Sequence, residues 1–310
     1  MHAPQKLIID TDPGVDDAIA ILMALAWPGV EVLGLTTVGG NVPLARTTRN
    51  ALALLEYAGN TGIPVSQGSA RPIRKSFGYA YAVHGSSGLT RRLPRPKTRP
   101  IDLGAVDFLA SRLCELPGQI TVAALGPLTN LALLQQRHPG AMEQMAGLVV
   151  MGGAVHVPGN VTPHSEFNFY SDPEAADLVL TSGVPVTLID LAICRRVGID
   201  RQAVERLTTR SRPGRLAIQL LANWFRREPH REWFTFYDPL AMAVALDPDL
   251  VSTYPASVRV ETANLERRGE SLVNERGGPV AVAQQVDSQR FFDLMGQVLG
   301  IDADKLRVFP

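Results

Sequence analysis

The segment LIIDTDPGVDDAIAIL, residues 7–22, places four aspartates between two apolar runs. The first run has the length and composition of a buried strand, and the Pro13-Gly14 pair that follows it breaks a strand and opens a turn. Apolar residues then return at helical spacing, at Val15, Ala18, Ile19 and Leu22. The segment therefore predicts a strand, a tight turn and a helix, with the acidic residues at the carboxyl end of the strand.

The same alternation of strand and helix patterns continues along the chain. Examples are KLIIDTD (6–12) before VDDAIAILMALA (15–26), EVLGLTTV (31–38) before PLARTTRNALALLEYA (43–58), and QITVAAL (119–125) before PLTNLALLQQ (127–136). Strands that are apolar on both faces and are separated by helix-length segments are typical of a parallel sheet covered on both sides. We therefore predict an α/β fold with a mainly parallel, open, Rossmann-like sheet flanked by helices.

The late part of the chain has a different pattern. Two apolar segments, ASVRVET (256–262) and PVAVAQQV (279–286), flank a polar stretch that resembles a turn, which predicts a β-hairpin attached to the same sheet. Neither a flexible linker nor a shift in composition divides the chain. We therefore predict that residues 1–310 form a single domain.

Composition and charge argue against several classes of protein. Hydrophobic residues make up 45% of the chain and charged residues 19%, which is typical of an ordered globular enzyme. Lys and Arg together number 30, as do Asp and Glu, so no net charge favours nucleic acid or an anionic membrane. The first residues lack a secretory pattern and no run of 18 apolar residues occurs, so we expect a cytoplasmic protein without nucleic-acid or membrane partners.

Two local features stand apart from this average. The basic segment RRLPRPKTRP, 91–100, is predicted to be a solvated loop stiffened by proline, with phosphate docking as the alternative. The two cysteines, Cys114 and Cys194, are too few for a disulfide framework or a cysteine metal site. We predict both to be small buried apolar residues.

The aspartates of the first segment indicate a metal site. Capping of the following helix explains one or two acidic residues, because the helix dipole favours carboxylates in the first turn. Four carboxylates at one strand end, from Asp10, Asp12, Asp16 and Asp17, would repel one another unless a cation lay among them. Since only oxygen ligands are present, the expected ion is calcium or magnesium.

An acidic DxD motif after a first strand also occurs in haloacid-dehalogenase-like phosphatases. Such an enzyme would use magnesium, and its first aspartate, here Asp10, would attack phosphorus. That class also requires a lysine on a helix and a late pair of acidic residues, neither of which we find. A magnesium-dependent phosphatase is therefore the less favoured alternative.

The segment DTDPGVDDAIAIL, 10–22, resembles the signature of the nucleoside hydrolase family, the inosine-uridine-preferring type of calcium-dependent ribonucleoside N-glycosidase. The resemblance extends in order over most of the chain. The other matching segments are TTVGGNV (36–42), VHG (83–85), ALGPLTNLA (124–132), MGGAV (151–155), GNVTPHSEFNFYSDPEAA (159–176) and YDPLA (237–241). The resemblance implies the nucleoside hydrolase fold, a ribonucleoside substrate, a Ca²⁺ cofactor and a homodimer or homotetramer.

The resemblance also implies roles for individual residues. The calcium ligands would be Asp12, Asp17, Asp238 and the backbone carbonyl of Thr129, with Asp10 as support behind them. Asp16 falls on the general base and would act on a metal-bound water, which predicts inversion at the anomeric carbon without a covalent intermediate. The residues predicted to contact the nucleoside are Asn41, His84, Met151, Asn160, Glu166 and Asn168, and those predicted to be catalytic are Asp16, Asn168 and Tyr237.

Two positions depart from the family pattern. Tyr237 occupies the place where many members carry a histidine that protonates the departing base, and a phenol is a weaker acid than an imidazolium near neutral pH. Ser87, in HGSSGL (84–89), replaces an acidic residue. These departures leave open a second hypothesis, a nucleoside- or sugar-binding protein with weakened catalysis.

The aromatic residues that could stack on a base are Phe77, Tyr79, Tyr81, Trp224, Trp233 and Phe236.

Overall fold

The computed structural model describes residues 3–74 and 78–305. The strands are β1 Gln5–Thr11, β2 Val30–Thr37, β3 Val65–Gln67, β4 Ile120–Ala124, β5 Met145–Met151, β6 Val186–Ile189, β7 Gly198–Asp200, β8 Trp233–Thr235, β9 Val251–Val260, β10 Ser271–Asn274 and β11 Val280–Val286. The helices are α1 Val15–Ala26, α2 Leu44–Ala58, α3 Tyr81–His84, α4 Ala105–Glu115, α5 Thr129–Arg137, α6 Phe167–Ser171, α7 Pro173–Leu180, α8 Leu191–Cys194, α9 Arg201–Arg206, α10 Arg212–Arg227, α11 Tyr237–Leu246 and α12 Ser288–Leu299. Short 3₁₀ turns occur at Met142–Gln144, Pro248–Leu250 and Ala303–Lys305.

One nine-stranded sheet dominates the fold, with the strand order β10-β9-β11-β6-β5-β4-β1-β2-β3. All neighbours from β11 to β3 in this order run parallel. At the other edge, β9 is antiparallel to both β10 and β11. The predicted mainly parallel α/β sheet is confirmed.

The predicted late hairpin is confirmed with one addition. The β9 and β11 strands pair antiparallel, as expected, but the polar stretch between them contains β10, which extends the sheet beyond β9. A second, smaller sheet that the sequence did not indicate pairs β7 with β8. Each of these two strands has three residues, which is too short for an alternating pattern to be recognised.

The apolar core lies on both faces of the sheet. In β1, Leu7 and Ile9 belong to one buried cluster and Ile8 to the other, because successive side chains of a strand point to opposite faces. The first cluster contains the buried faces of α1, α2, α10, α11 and α12. The second contains those of α4, α5 and α7. This burial on both faces explains why the strands are almost continuously apolar.

The parallel strands bring the polar segments to one edge. Asp10 lies beside Thr36 of β2 and beside Ala124 of β4, so the segments that follow these strands begin next to one another. The loops after β5 and β6 begin at the same edge, since Met151 lies beside Ile189. Ligands of open α/β sheets bind at such an edge.

The two cysteines differ in exposure. Cys194 is buried, as predicted, but Cys114 is exposed, so that part of the prediction was wrong. The buried residues of α4 include Leu109, Ala110 and Leu113, whereas Cys114, in the last turn of this helix, is exposed. Across the described ranges, no helix combines the length and apolar character needed to cross a membrane.

Candidate functional site

Three carboxylates from two segments far apart in the sequence meet at the carboxyl edge of the sheet. Asp16 and Asp17 lie in the first turn of α1, and Asp238 lies in the first turn of α11, which packs against α1. Each of the three offers an oxygen within 4.8 Å of the others. Asp12 follows β1 directly and is buried, and its Oδ2 accepts a hydrogen bond of 2.6 Å from the backbone N–H of Asn41. We call Asp12, Asp16, Asp17 and Asp238 the acidic cluster.

Asp17 is held in one orientation by four donors. Its Oδ1 accepts from the Thr11 hydroxyl at 2.6 Å and from the Asp12 backbone N–H at 3.2 Å. Its Oδ2 accepts from the Gly14 N–H at 2.9 Å and from the Asn41 amide at 3.1 Å. Because all four partners donate, both oxygens of Asp17 are fixed in position as acceptors. The bond to Gly14 also satisfies one of the free N–H groups where α1 begins.

Asp12 and Asp16 each keep a buried oxygen without a hydrogen-bond partner in the described structure. Burial, followed by the negative charge of Asp17, raises the pKa of Asp16 to about 7 and that of Asp12 well above its ordinary value. Burial, then repulsion from Asp16, raises the pKa of Asp238 in the same direction. The oxygens in question are Asp12 Oδ1 and Asp16 Oδ1. A cation among these oxygens would offset both the repulsion and the unpaired acceptors.

Two glycines leave room for Asp12. A Cβ atom on Gly40 would collide with Asp12 Oδ2, and one on Gly126 would lie 2.6 Å from Asp12 Oδ1. Real Cβ atoms essentially never come so close to another heavy atom. The carboxylate of Asp12 is therefore fitted between two backbone segments that follow β2 and β4.

Asp10 lies outside the acidic cluster, as its predicted supporting role requires. Its Oδ1 accepts from the Thr36 hydroxyl at 2.5 Å and from the Asn130 amide at 2.7 Å. Asn130 also donates to the Thr37 carbonyl at 3.2 Å and accepts from the Ser69 N–H at 2.9 Å. Asn130 thus joins the ends of β1 and β2 to α5. The sequence interpretation missed this residue, although its position next to Thr129 in GPLTN was the signal.

Thr129 begins α5 and is buried. Its hydroxyl donates to Asp172 Oδ2 at 2.6 Å, and Asp172 in turn caps α7. The side chain is therefore occupied by Asp172. The role of the Thr129 carbonyl as a metal ligand stays a prediction.

A cavity of about 890 Å³ opens over the acidic cluster. The predicted site residues that line it are Asp16, Asn41, His84, Met151, Asn160, Asn168, Tyr237 and Asp238. The remaining predicted residues, Asp10, Asp12, Asp17, Thr129 and Glu166, are buried but are not part of its lining in the described structure. Trp224, Trp233 and Phe234 form an aromatic wall, whereas Phe236 is buried and Phe77 lies outside the described residues.

Glu166 lies beneath the cavity and positions Asn168. Its Oε1 accepts from the Asn168 N–H at 2.8 Å, and its Oε2 accepts from the N–H groups of Gly153 at 3.0 Å and Phe169 at 3.1 Å. Burial raises the pKa of Glu166 to about 7, although these three donors act in the opposite direction. Both oxygens therefore serve the backbone, and direct contact of Glu166 with ribose stays a prediction.

Asn168 uses its amide nitrogen within the protein. Nδ2 donates to the carbonyls of Leu125 at 2.8 Å and Met151 at 3.1 Å, at the ends of β4 and β5. This fixes the plane of the amide at the cavity wall. Its oxygen Oδ1 is then the atom that can accept a hydrogen bond from a ligand hydroxyl.

His84 enters the cavity wall from α3. Its Nδ1 accepts a hydrogen bond of 3.1 Å from the Val15 N–H, so the ring proton lies on Nε2. Burial lowers the pKa of His84 to about 4. A Cβ on Gly14 would lie 2.7 Å from His84 Nδ1, which explains the glycine at this turn. His84 is therefore a neutral hydrogen-bond donor toward the cavity.

Tyr237 lies at the start of α11, next to Asp238. Burial raises the pKa of its phenol above the ordinary value, and a hydrogen bond with Thr235 acts in the opposite direction. Ser87, by contrast, lies away from the cavity, and its hydroxyl donates to the Leu89 carbonyl at 2.7 Å. Of the two departures in the sequence, only Tyr237 is part of the cavity.

Comparison with known proteins gives one consistent result. Residues 7–293 match the family described as inosine-uridine preferring nucleoside hydrolase. Uridine nucleosidase 1 of Arabidopsis thaliana is 39% identical over 84% of this chain and 80% of its own length. The pyrimidine-specific ribonucleoside hydrolase RihA of Escherichia coli is 36% identical over 98% of each chain. The structure of a purine-preferring ribonucleoside hydrolase from Gardnerella vaginalis superposes with a TM-score of 0.89, at 31% identity, over 96% of this chain and 98% of that one.

Proposed function

Because the chain belongs to the inosine-uridine preferring nucleoside hydrolase family and is thereby a ribonucleoside hydrolase, we propose that it works with calcium and with Asp16 as general base. The reaction adds water across the N-glycosidic bond and releases ribose and a free base. The observation that carries the proposal is the convergence of Asp16, Asp17 and Asp238, with oxygens within 4.8 Å of one another, next to a cavity of about 890 Å³ that Asp16 and Asp238 line.

The residues fit a hard divalent cation. The acidic cluster offers oxygen atoms alone, and Asp12 Oδ1 is buried without a partner. Asp12, Asp17, Asp238 and the Thr129 carbonyl would hold the ion. Calcium, when bound, would supply positive charge that acidifies water and orients the ribose diol.

Asp16 is suited to accept a proton from the attacking water. It lines the cavity and its Oδ1 has no hydrogen-bond partner in the described structure, so that oxygen is free to accept a proton from water in the cavity. Asp12 is the competing candidate, since it also has an unpaired oxygen, but it lies below the cavity surface. Variants of each residue separate the two assignments.

The cavity also suits the charge that develops on the sugar. Breaking the glycosidic bond builds positive charge on ribose, which nearby carboxylates stabilise more strongly in the transition state than in the ground state. Asn160, Asn168 and Met151 line this cavity, and we propose that Asn160 and Asn168 Oδ1 bind the ribose hydroxyls. Asn41 contributes mainly by positioning Asp12 and Asp17.

The departing base would lie against the aromatic wall of Trp224, Trp233 and Phe234. His84 donates through Nε2, and the Tyr237 phenol donates a hydrogen bond without being acidic enough to release its proton readily. We propose that these two groups orient the base. Water then completes its protonation.

We further propose a preference for pyrimidine ribonucleosides. The support is the 39% identity to a uridine nucleosidase and the 36% identity to a pyrimidine-specific hydrolase, each over most of both chains. The test measures ribose release from uridine, cytidine, inosine and adenosine. Each substrate is assayed with the enzyme as purified, after a chelator has removed divalent cations, and after calcium or magnesium has been added back. We expect ribose release from uridine to be fastest, to stop on chelation and to return with calcium.

Tight nucleoside binding without ribose release from any of the four substrates would instead support the weakened, binding-only protein suggested by Tyr237.

The remaining sequence predictions are a single domain over residues 1–310, a homodimer or homotetramer and a cytoplasmic location. Sedimentation of the purified chain tests the assembly.

A further inference from the structure

A second cavity, of about 650 Å³, lies outside the catalytic one. It is lined by Arg46 and Arg49 of α2, by Ser86 and Ser87, and by Arg92 and Arg95 of the basic segment. None of these residues lines the catalytic cavity. We call this the arginine cavity.

The two arginines of α2 are held in place by backbone carbonyls. Arg46 donates to the Ser86 carbonyl at 2.5 Å, and its guanidinium carbon lies 5.7 Å from the centre of the Tyr81 ring. Arg49 donates to the Leu93 carbonyl at 3.2 Å. A guanidinium has five N–H donors, so each of these two groups keeps further donors for a ligand. Fixing a long side chain in advance reduces the entropy lost on binding.

The positive charge of the arginine cavity is not balanced by the protein. In the part of the chain that the structure describes, none of its four arginines takes part in an ion pair. The acidic residue of α2, Glu56, accepts hydrogen bonds from the backbone N–H groups of Lys97 and Thr98 instead. Arg46, Arg92 and Arg95 are exposed and Arg49 is half-buried, and an anion bound among them would reduce the repulsion between their charges.

We propose that the arginine cavity binds the phosphate group of a small phosphorylated compound or free inorganic phosphate. Guanidinium groups pair with phosphate oxygens through two parallel hydrogen bonds, and several of them around one site match a dianion with several acceptor oxygens. Tyr81 packs against Arg46 but is not among the described lining residues, so the lining itself offers no stacking surface for single-stranded nucleic acid. The ligand is therefore a small anion.

The site would communicate with the catalytic cavity through a short stretch of backbone. Ser86, which accepts the hydrogen bond from Arg46, follows two residues after His84 of the catalytic wall. Asn50 of α2 donates to the Ser87 carbonyl at 2.8 Å and to the Pro13 carbonyl at 3.1 Å. An anion bound to Arg46 would therefore lie two residues along the chain from the end of α3, which carries His84.

The test is calorimetric titration of the full-length protein with inorganic phosphate and, separately, with glycerol 3-phosphate, at constant ionic strength set with KCl. The double variant Arg92→Gln/Arg95→Gln removes two lining charges. Arg91→Gln is the matched control, because Arg91 is exposed in the same segment but does not line the cavity. We expect the double variant to weaken phosphate binding by about tenfold or more and the control by less than about twofold.

The two ligands separate the sources of phosphate. Tighter binding of inorganic phosphate identifies the free ion, and tighter binding of glycerol 3-phosphate identifies a phosphate ester.

Equal losses of phosphate affinity in Arg91→Gln and the double variant would show diffuse surface charge rather than a site and would overturn the proposal. Absence of measurable heat and of any protection of residues 86–95 from hydrogen exchange would overturn it as well. Ribose release without phosphate, measured in all variants, reports the proposed enzyme activity separately.

Discussion

The His84 imidazole accepts a hydrogen bond from the backbone N–H of Val15, at 3.1 Å, and so joins the short helix α3 to the first turn of α1. This bond requires an unprotonated Nδ1. The hydrogen bond therefore couples the protonation of His84 to the position of the first turn of α1, which carries Asp16 and Asp17.

The first prediction concerns the pH dependence of stability. The pKa of His84 is lowered by burial from 6.5 to about 4, so the folded protein binds fewer protons here than the unfolded chain between these values. The free energy of unfolding therefore falls as the pH decreases from 6.5 toward 4, because the unfolded chain binds a proton that the buried His84 does not. The expected loss is on the order of 3 kcal/mol. His84→Gln keeps an acceptor but cannot titrate. Urea unfolding at a series of pH values, in one calcium buffer, should show the stability advantage of the wild type shrinking over this interval. Parallel curves would contradict the assignment.

The second prediction separates the general base from the metal ligands. Asp16→Asn should retain calcium and lose about 10²–10⁴-fold in kcat, because the amide keeps the shape but cannot accept a proton. Asp17→Ala should lose calcium binding, since it removes the best-oriented carboxylate of the cluster. Calcium titration and uridine turnover are measured on both. If Asp12→Asn instead abolishes turnover with calcium retained, while Asp16→Asn stays active, Asp12 is the base.

The third prediction uses the space that glycine leaves for Asp12. Gly126→Ala places a methyl group 2.6 Å from Asp12 Oδ1, so the carboxylate must move and calcium affinity should fall by about tenfold or more. Gly147→Ala is the matched control, because its Cβ would meet only Thr121 atoms, at 3.9 Å. A similar calcium affinity in the two variants would show that the position of Asp12 does not matter for the ion.

The fourth prediction concerns Asn130. Asn130→Ala removes its bonds to Asp10, the Thr37 carbonyl and the Ser69 N–H, and should lower the free energy of unfolding by about 2–4 kcal/mol. Calcium affinity should fall too, since Asn130 holds the start of α5 against β1. A double-mutant cycle with Asp10→Ala, followed by urea unfolding, should give losses that do not add. Fully additive losses would mean that the two side chains act independently.

The fifth prediction concerns Tyr237. If its phenol only orients the base, Tyr237→Phe costs about one neutral hydrogen bond, or up to about tenfold in kcat/KM. Tyr237→His adds an imidazole and should accelerate nucleosides whose bases leave poorly, while p-nitrophenyl riboside should barely respond. A loss of about a thousandfold on inosine in Tyr237→Phe, with p-nitrophenyl riboside unaffected, would identify the tyrosine as the acid.

The sequence predicted the mainly parallel sheet, and the meeting of polar segments at one edge of it, because both depend on local patterns. The apolar run before Asp10 and the helical spacing after Pro13 appear as β1 and α1, and the polar residues at strand ends meet because parallel strands share an edge. The β7–β8 sheet could not be predicted, since its pairing depends on contacts between segments far apart in sequence.

Within the site, residue type was predictable but the direction of each side chain was not. Glu166 was predicted to contact the nucleoside, but in the structure it is buried and its oxygens accept backbone N–H groups, which depends on the path of the loop at Gly153. Asn130 was overlooked because its partners, on β1, β2 and the Ser69 loop, become neighbours only in the folded sheet.

The acidic cluster also has a consequence for how the protein is made. Asp12, Asp16 and Asp17 leave the ribosome early, whereas Asp238 and the helix α11 that packs against α1 are synthesised late. Until then the early carboxylates remain in water, where their mutual repulsion is weak. An ion held by all four carboxylates, as proposed, would therefore bind tightly only after α11 has been synthesised and has packed against α1.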